Sequence, residues 1–153
     1  MTDVSTTAAS PTATEGPKGI GGWLVLPVIG TVVSPFLMAF WTWQSVAALS
    51  APIGTSLLVF VAIEALFNLA LLIGWIVANV LLFKHKRAYP KFLVALLVVT
   101  LLGTVIDIFV GKLFDLAIEA EDIRGLVRSV IGLAIWGPYM FKSKRVRNTF
   151  VVD

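Results

Sequence analysis

The chain has 153 residues, of which 58% are hydrophobic and 14% are charged, and its mean hydropathy is +0.95. Soluble domains are about 45–50% apolar and about 25% charged, so this chain has too few charged side chains to cover a water-facing surface. Its formal net charge is +3 and it has no cysteine, which excludes disulfides and thiolate metal sites. The composition predicts an all-α polytopic membrane protein of one domain.

The first segment, residues 1–18, is rich in Thr, Ala, Ser and Pro and has little to bury. This composition predicts a disordered tail. Asp3 and Glu15 precede the first basic residue, Lys18, whereas a secretory signal starts with a basic region and has a shorter apolar run. We therefore interpret the segment as an uncleaved cytoplasmic tail that precedes a membrane anchor.

Four apolar segments follow, and each has close to the 20 or so residues that a membrane-spanning helix needs. They are predicted over residues 22–44, 56–83, 92–114 and 123–141. The first contains Pro27 and Pro35, which predict a kink or a local break because proline has no N–H to donate. Together, residues 19–142 are predicted to form a four-helix transmembrane bundle, and 143–153 a basic cytoplasmic tail.

The loops between these segments differ sharply in charge. The loop over residues 45–55 is uncharged, and the loop over 115–122 is acidic. Most of the basic residues lie in the other loop and after the fourth segment: Lys84, His85, Lys86, Arg87, Lys91, Lys142, Lys144, Arg145 and Arg147. The positive-inside rule places this loop and both termini in the cytoplasm, which agrees with four crossings.

Three of the segments separate polar and small residues from large aliphatic ones at helical spacing. Such residues face neighbouring helices in a membrane, because small side chains permit close approach and polar groups need partners. In the second segment, Leu66, Ile73 and Phe83 are predicted to face lipid. The predicted inward sets are Glu64, Asn68, Ala70, Gly74, Trp75, Ala78 and Asn79; Thr100, Gly103, Thr104, Asp107 and Gly111; and Arg124, Arg128 and Tyr139.

Five of these inward residues form a candidate intramembrane polar cluster: Glu64, Asn68, Asp107, Arg124 and Arg128. At 1.5 Å per residue, the charged members lie about 20 Å or more from the basic ends of their helices. An isolated charge at mid-bilayer costs at least about 2.5–3.5 kcal/mol, so we expect Glu64 and Asp107 to face Arg128. The cluster could be a set of mutually neutralised side chains that fixes the register of the helices. It could instead move an ion, proton or solute, or contact another subunit.

No catalytic constellation is present in the sequence. There is no cysteine nucleophile, no Ser/His/Asp set, no glycine-rich phosphate loop after a strand and no metal-ligand cluster, and His85 is the single histidine. We therefore expect neither an enzyme nor a cofactor. The basic clusters adjoin membrane helices, so attraction to anionic lipid headgroups, worth about 1 kcal/mol per basic residue, explains them better than nucleic-acid binding.

Several short motifs carry a family resemblance. They are Gly21–Pro27 with Ser34–Pro35, Glu64 with Asn68, Tyr89–Pro90, Ile135–Tyr139 and Ser143–Phe150. Together they resemble the YdgK-like family of small bacterial inner-membrane proteins, classified as domain of unknown function 2569. The resemblance covers about residues 19–151 and implies a bacterial cytoplasmic membrane protein of four helices, with no established activity.

The closing motif suggests a role beyond topology, since a basic topology signal alone would not require Ser143, Thr149 and Phe150. We hypothesise that this segment folds back as a cytoplasmic cap or docks a partner. The candidate partner or lipid contacts are Trp136, Tyr139, Lys144, Arg145, Arg147 and Phe150.

The function predicted from these features is that of a small, non-catalytic structural or accessory membrane subunit, which assembles with itself or with a larger complex. The rival prediction is a small oligomeric transporter or channel that uses Glu64, Asp107 and Arg128.

Overall fold

The computed structural model describes residues 18–152, and these residues are helical apart from short connections. A short 3₁₀ turn at Gly22–Leu24 leads into the first helix. The helices are α1 (Val25–Ala48), α2 (Thr55–Phe83), α3 (Tyr89–Leu113), α4 (Ala120–Lys142) and the six-residue α5 (Lys144–Thr149). The all-α prediction is confirmed, and the predicted disordered tail lies outside the described residues except for Lys18.

Helix α1 runs without interruption through Pro35, so there is no local break, and the alternative of a kink stays a prediction. Proline cannot donate to the carbonyl four residues earlier, which here belongs to Thr31. The Asn79 side chain of α2 compensates, because its Nδ2 donates to the Thr31 carbonyl oxygen at 2.8 Å. The Thr31 carbonyl, which has no backbone donor at Pro35, therefore forms a hydrogen bond that connects α1 with α2.

The helices pack as two hairpins: α1 lies mainly on α2 and α3 mainly on α4, with a smaller contact between α2 and α3. Three stretches are long and apolar enough to cross a membrane, namely Gly22–Ala48, Thr55–Phe83 and Tyr89–Leu113. Helix α4 is of similar length but begins with an acidic first turn, followed by two arginines. It is a fourth ordered helix, and its crossing of the membrane stays a prediction.

The buried core lies at one end of the bundle, which we call the basic end. There the polypeptide segments around Gly19, the 84–88 connection and residues 149–152 meet: Thr149 Oγ1 donates to the Gly19 carbonyl at 3.3 Å, and Arg87 N donates to the Val152 carbonyl at 2.8 Å. The most deeply buried apolar side chains gather beside them: Leu24, Leu82, Tyr89, Leu93, Met140, Val146 and Phe150. The opposite end, with the 49–54 and 114–119 connections, is the acidic end.

The predicted faces of α2 are largely confirmed. Trp75 and Ala78 are buried, whereas Leu66, Ile73 and Phe83 are exposed on the outside of the bundle. Among the small residues, Gly74 packs under the Leu96 side chain of α3. Ala70 is exposed, so its predicted inward position is wrong.

Candidate functional site

A cavity of about 260 Å³ opens between α1, α2 and α3 in the half of the bundle nearer the acidic end. Its walls are mostly apolar, with Met38 from α1 and Phe67 from α2 among them. The polar groups in the lining come from α2 and α3: Glu64, Asn68, Thr100, Thr104 and Asp107. Three members of the predicted cluster therefore line one cavity, with Glu64 and Asn68 half-buried and Asp107 exposed.

Neutral hydrogen-bond donors hold the Glu64 carboxylate in place. Ser45 Oγ of α1 donates to Glu64 Oε1 at 2.9 Å, and Asn68 Nδ2, one helical turn along α2, approaches the same oxygen at 3.3 Å. Asn68 Nδ2 also donates to Ser45 Oγ at 3.0 Å. Sequence reasoning missed Ser45 because the first helix was predicted to end at residue 44, whereas α1 continues to Ala48.

Asp107 faces the same cavity from α3. The nearby hydroxyls of Thr100 and Thr104 donate to carbonyls of their own helix, at 2.9 and 3.0 Å, so neither one donates to the carboxylate. Within residues 18–152, no lysine or arginine forms an ion pair with Glu64 or Asp107. The cavity thus contains two carboxylates without a counter-cation in the described part of the chain.

A second cavity of about 320 Å³ extends this site to the acidic end. It shares Phe60, Glu64 and Asp107 with the first and is also lined by Glu119, Asp122 and Lys112. Glu119 and Asp122 form the capping box at the start of α4, in which the Glu119 N–H donates to Asp122 Oδ2 at 2.7 Å. We call the two cavities together the acidic groove.

The two arginines of α4 do not lie in the acidic groove. Arg124 Nη1 is 3.6 Å from Glu121 Oε2 and Arg128 Nη2 is 3.9 Å from Glu121 Oε1, with the arginine side chains 72% and 76% exposed. The predicted pairing of Arg128 with Glu64 and Asp107 is therefore wrong within this chain. The reason is local: Glu121 precedes Arg124 by three residues and Arg128 by seven, about one and two helical turns, so the three side chains share one face of α4.

Arg128 instead lines a separate cavity of about 240 Å³ between α1 and α4. Thr31 and Ser34 contribute from α1, and Trp75 and Trp136 from α2 and α4. The buried Nε1 of Trp75 has no hydrogen-bond partner within the described residues. This cavity and the acidic groove lie between the two helical hairpins, but they have no lining residue in common.

The last residues fold back onto the basic end of the bundle. The Phe150 ring lies 4.6 Å from the Tyr89 ring, and the Tyr89 hydroxyl is hydrogen-bonded to Thr31 Oγ1 at 2.9 Å. Phe150 is only 3% exposed, so its predicted role as a partner or lipid contact is wrong. Its ring packs inside the protein because the chain turns back after α5.

The other candidate contacts in this segment differ in exposure. Lys144 and Arg147 are exposed, whereas Trp136 and Tyr139 are half-buried and pack edge to face, with ring centroids 5.9 Å apart. The Arg145 guanidinium lies over the Gly21–Gly22 backbone, where a Cβ on Gly21 would come within 2.7 Å of its Nη1. Gly22 also has a φ of +56°, a conformation that glycine adopts without a steric penalty.

Comparison with known proteins identifies a family but no activity. The family model described as "Protein of unknown function (DUF2569)" matches residues 17–151. No curated protein and no solved structure matches the chain. The resemblance to this family is therefore confirmed, while the name YdgK rests on no matched homologue. No group of three or more potential metal-ligating side chains occurs in the described part of the chain.

Proposed function

The chain belongs to the DUF2569 family of proteins of unknown function, and on that premise we propose that this membrane protein is a non-catalytic accessory subunit of a membrane assembly. In this proposal α4 is the fourth crossing and the basic end lies in the cytoplasm of a bacterial inner membrane. The cluster of lysines and arginines at that end supports the orientation. Anionic lipid headgroups are the expected neighbours of its exposed basic side chains, including Lys144 and Arg147.

The acidic groove is the observation that carries this proposal. Glu64 and Asp107 lie on two helices that are apolar and long enough to span a membrane. Charged side chains in such segments almost always pair with one another or line a water-filled cavity. Glu64 has only neutral donors, from Ser45 and Asn68, and no ion pair within residues 18–152 compensates Glu64 or Asp107. A basic group from a partner subunit would compensate them.

The groove also has the shape of a docking site. It lies between the two hairpins, where the contact between α2 and α3 is smaller than the contacts within each hairpin. Exposed aliphatic side chains border it, among them Ile63 and Ile106. A partner helix that brings one basic side chain to Glu64 and Asp107 would bury this apolar rim at the same time. Packing and charge would then favour the same contact.

A second candidate function is a small carrier for a cation. The observation that favours it is the continuity of the acidic groove, which runs from Glu119 and Asp122 at the acidic end to Asn68. A positively charged solute could enter such a path and reach Glu64. The packed core closes the basic end, as expected of a carrier open to one side.

Native mass spectrometry of tagged full-length protein, extracted from membranes in mild detergent, tests the first proposal. The wild-type chain is expected to appear in a complex, and the Glu64→Gln/Asp107→Asn variant as a free chain. Asp115→Asn is the matched control, because Asp115 is an exposed carboxylate at the same end that lies outside the groove lining. A double variant that retains the complex would contradict the proposal.

Vesicle transport separates the two candidate functions. Purified protein reconstituted alone is expected to show no uptake of an organic cation such as ethidium if it is an accessory subunit. Uptake that disappears in Glu64→Gln and persists in Asp115→Asn would support the carrier. Such uptake, combined with the absence of any associated chain, would overturn the accessory-subunit proposal.

A further inference from the structure

Two sets of opposite charge lie apart from each other on this chain. The first set is Glu64 and Asp107 in the acidic groove. The second set is Arg124 and Arg128 on α4, which share a single carboxylate, Glu121, at 3.6 and 3.9 Å. The groove therefore has an excess of negative charge and the exposed face of α4 an excess of positive charge.

The two sets lie at similar depth from the acidic end. From the helix bounds and a rise of 1.5 Å per residue, Glu64 lies about 14 Å from the start of α2 and Asp107 about 9 Å from the end of α3. By the same measure, Arg124 and Arg128 lie about 6 and 12 Å from the start of α4. A neighbour that stands upright beside this chain in the same orientation would bring charges of opposite sign to the same level.

The face of α4 that carries the arginines permits close approach of another helix. Gly125 and Gly132 lie on either side of Arg128 in the sequence, at distances of three and four residues, and a Cβ at either glycine would meet only open space. Small residues on one side of a helix are typical of membrane interfaces, because they let backbones come together. Val127 and Ile131 are exposed on the other flank of the two arginines and supply apolar contact area.

We propose that a second copy of this chain covers the acidic groove, with Arg128 of one copy paired with Asp107 and Glu64 of the other. This inference rests on the proposed role as a subunit of an assembly and names the partner. A two-fold axis along the membrane normal keeps both copies at the same depth. The contact then occurs twice in a dimer, so that the groove and the α4 face of each copy are both covered.

Charge complementarity favours a second copy over an unrelated partner. If a basic helix of another protein covered the groove, Arg124 and Arg128 would stay exposed on α4. Their only ion-pair partner in the described residues would still be one shared carboxylate, that of Glu121. Association of two copies provides partners for both sets together. The pairing predicted from the sequence is thereby retained, but it connects two chains instead of two helices of one chain.

A charge exchange between two copies tests this pairing. Two differently tagged full-length chains are made, one with Asp107→Arg and one with Arg128→Asp, and each is sized in detergent alone and after coexpression. Each variant alone is expected to lose the dimer that the wild-type chain forms, because like charges then face each other across both contacts. The coexpressed pair is expected to regain the dimer, since each of its two contacts again joins an arginine with a carboxylate.

Site-specific crosslinking locates the contact. The chain has no native cysteine, so Ser129→Cys in one tagged copy and Ile106→Cys in the other introduce a single thiol each. Oxidation in membranes is expected to join the two copies. Phe83→Cys replaces Ile106→Cys in the control. Phe83 is exposed but lies at the last residue of α2, at the basic end of the bundle, and should give no crosslink with Ser129→Cys.

The outcomes separate this inference from the proposed function. Dimers that persist in both single variants, or a coexpressed pair that stays monomeric, would overturn the inference. A single chain that carries both Asp107→Arg and Arg128→Asp is sized as well. If this chain dimerises like the wild type while the coexpressed pair does not, Arg128 and Asp107 pair within one copy and the inference is wrong. A wild-type chain that is captured only with a different protein would also overturn it, while leaving the accessory-subunit proposal intact.

Discussion

The basic end and the acidic half of this bundle use their polar side chains in opposite ways. At the basic end, Tyr89, Thr31 and Phe150 form a chain of contacts that joins α3, α1 and the last residues. In the acidic half, Glu64 and Asp107 line an open groove and have no cationic partner among the described residues. The contrast indicates that the basic end holds the fold together, whereas the acidic half is available for interactions with other molecules.

The largest effect is expected from Phe150→Ala at the basic end. Truncating a buried phenylalanine costs about 3–5 kcal/mol, because the apolar contacts are lost and a cavity remains. Thermal unfolding of the purified protein in detergent measures the loss. Phe83→Ala removes a ring of the same size from an exposed position on α2 and is expected to have a much smaller effect. Equal destabilisation by both variants would contradict the view that the basic end provides most of the stability.

Asn79→Ala is expected to have an intermediate effect, about 1–3 kcal/mol, because the Thr31 carbonyl would lose its donor in a buried position. A substitution of Pro35 supplies the control, because the Thr31 carbonyl depends on Asn79 only while residue 35 has no N–H. Pro35→Ala restores a backbone N–H that can donate to the Thr31 carbonyl within α1. In that background Asn79→Ala should cost less, and thermal unfolding of the four proteins of the double-mutant cycle measures the difference. Strict additivity would show that Asn79 does not compensate for Pro35.

The smallest effect is expected from Glu64→Gln in the acidic half. Glutamine keeps an oxygen that can accept from Ser45 and Asn68, and the described residues provide no cation whose partner would be lost. The stability of the isolated chain in detergent should therefore change by no more than about 0.5 kcal/mol. Asn68→Asp, which adds a carboxylate beside Glu64, is a useful contrast and should destabilise it. A large loss in Glu64→Gln would show that Glu64 supports the fold.

Periodicity and hydropathy predicted much of this fold, because both depend on the sequence within one helix. The outward face of α2 and the position of Asn68 one turn from Glu64 followed from spacings of three and four residues. The similar depth of Glu64 and Asp107 followed from the rise per residue of their two helices. The end of α1 was predicted four residues too early because the predicted span stopped at the polar Gln44, although Ala47 and Ala48 favour continuation of the helix. That error removed Ser45 from the predicted site.

The sequence by itself determined that this chain has three long apolar helices and a fourth helix with two arginines, and that most of its basic residues gather at one end. The tertiary structure alone decided that Arg128 lies outside the acidic groove, that Pro35 is compensated by Asn79, and that Phe150 turns inward onto Tyr89. The reason is physical. Helical spacing dictates which side chains share a face, but the rotation of one helix about its axis relative to its neighbours depends on the packing of the whole bundle.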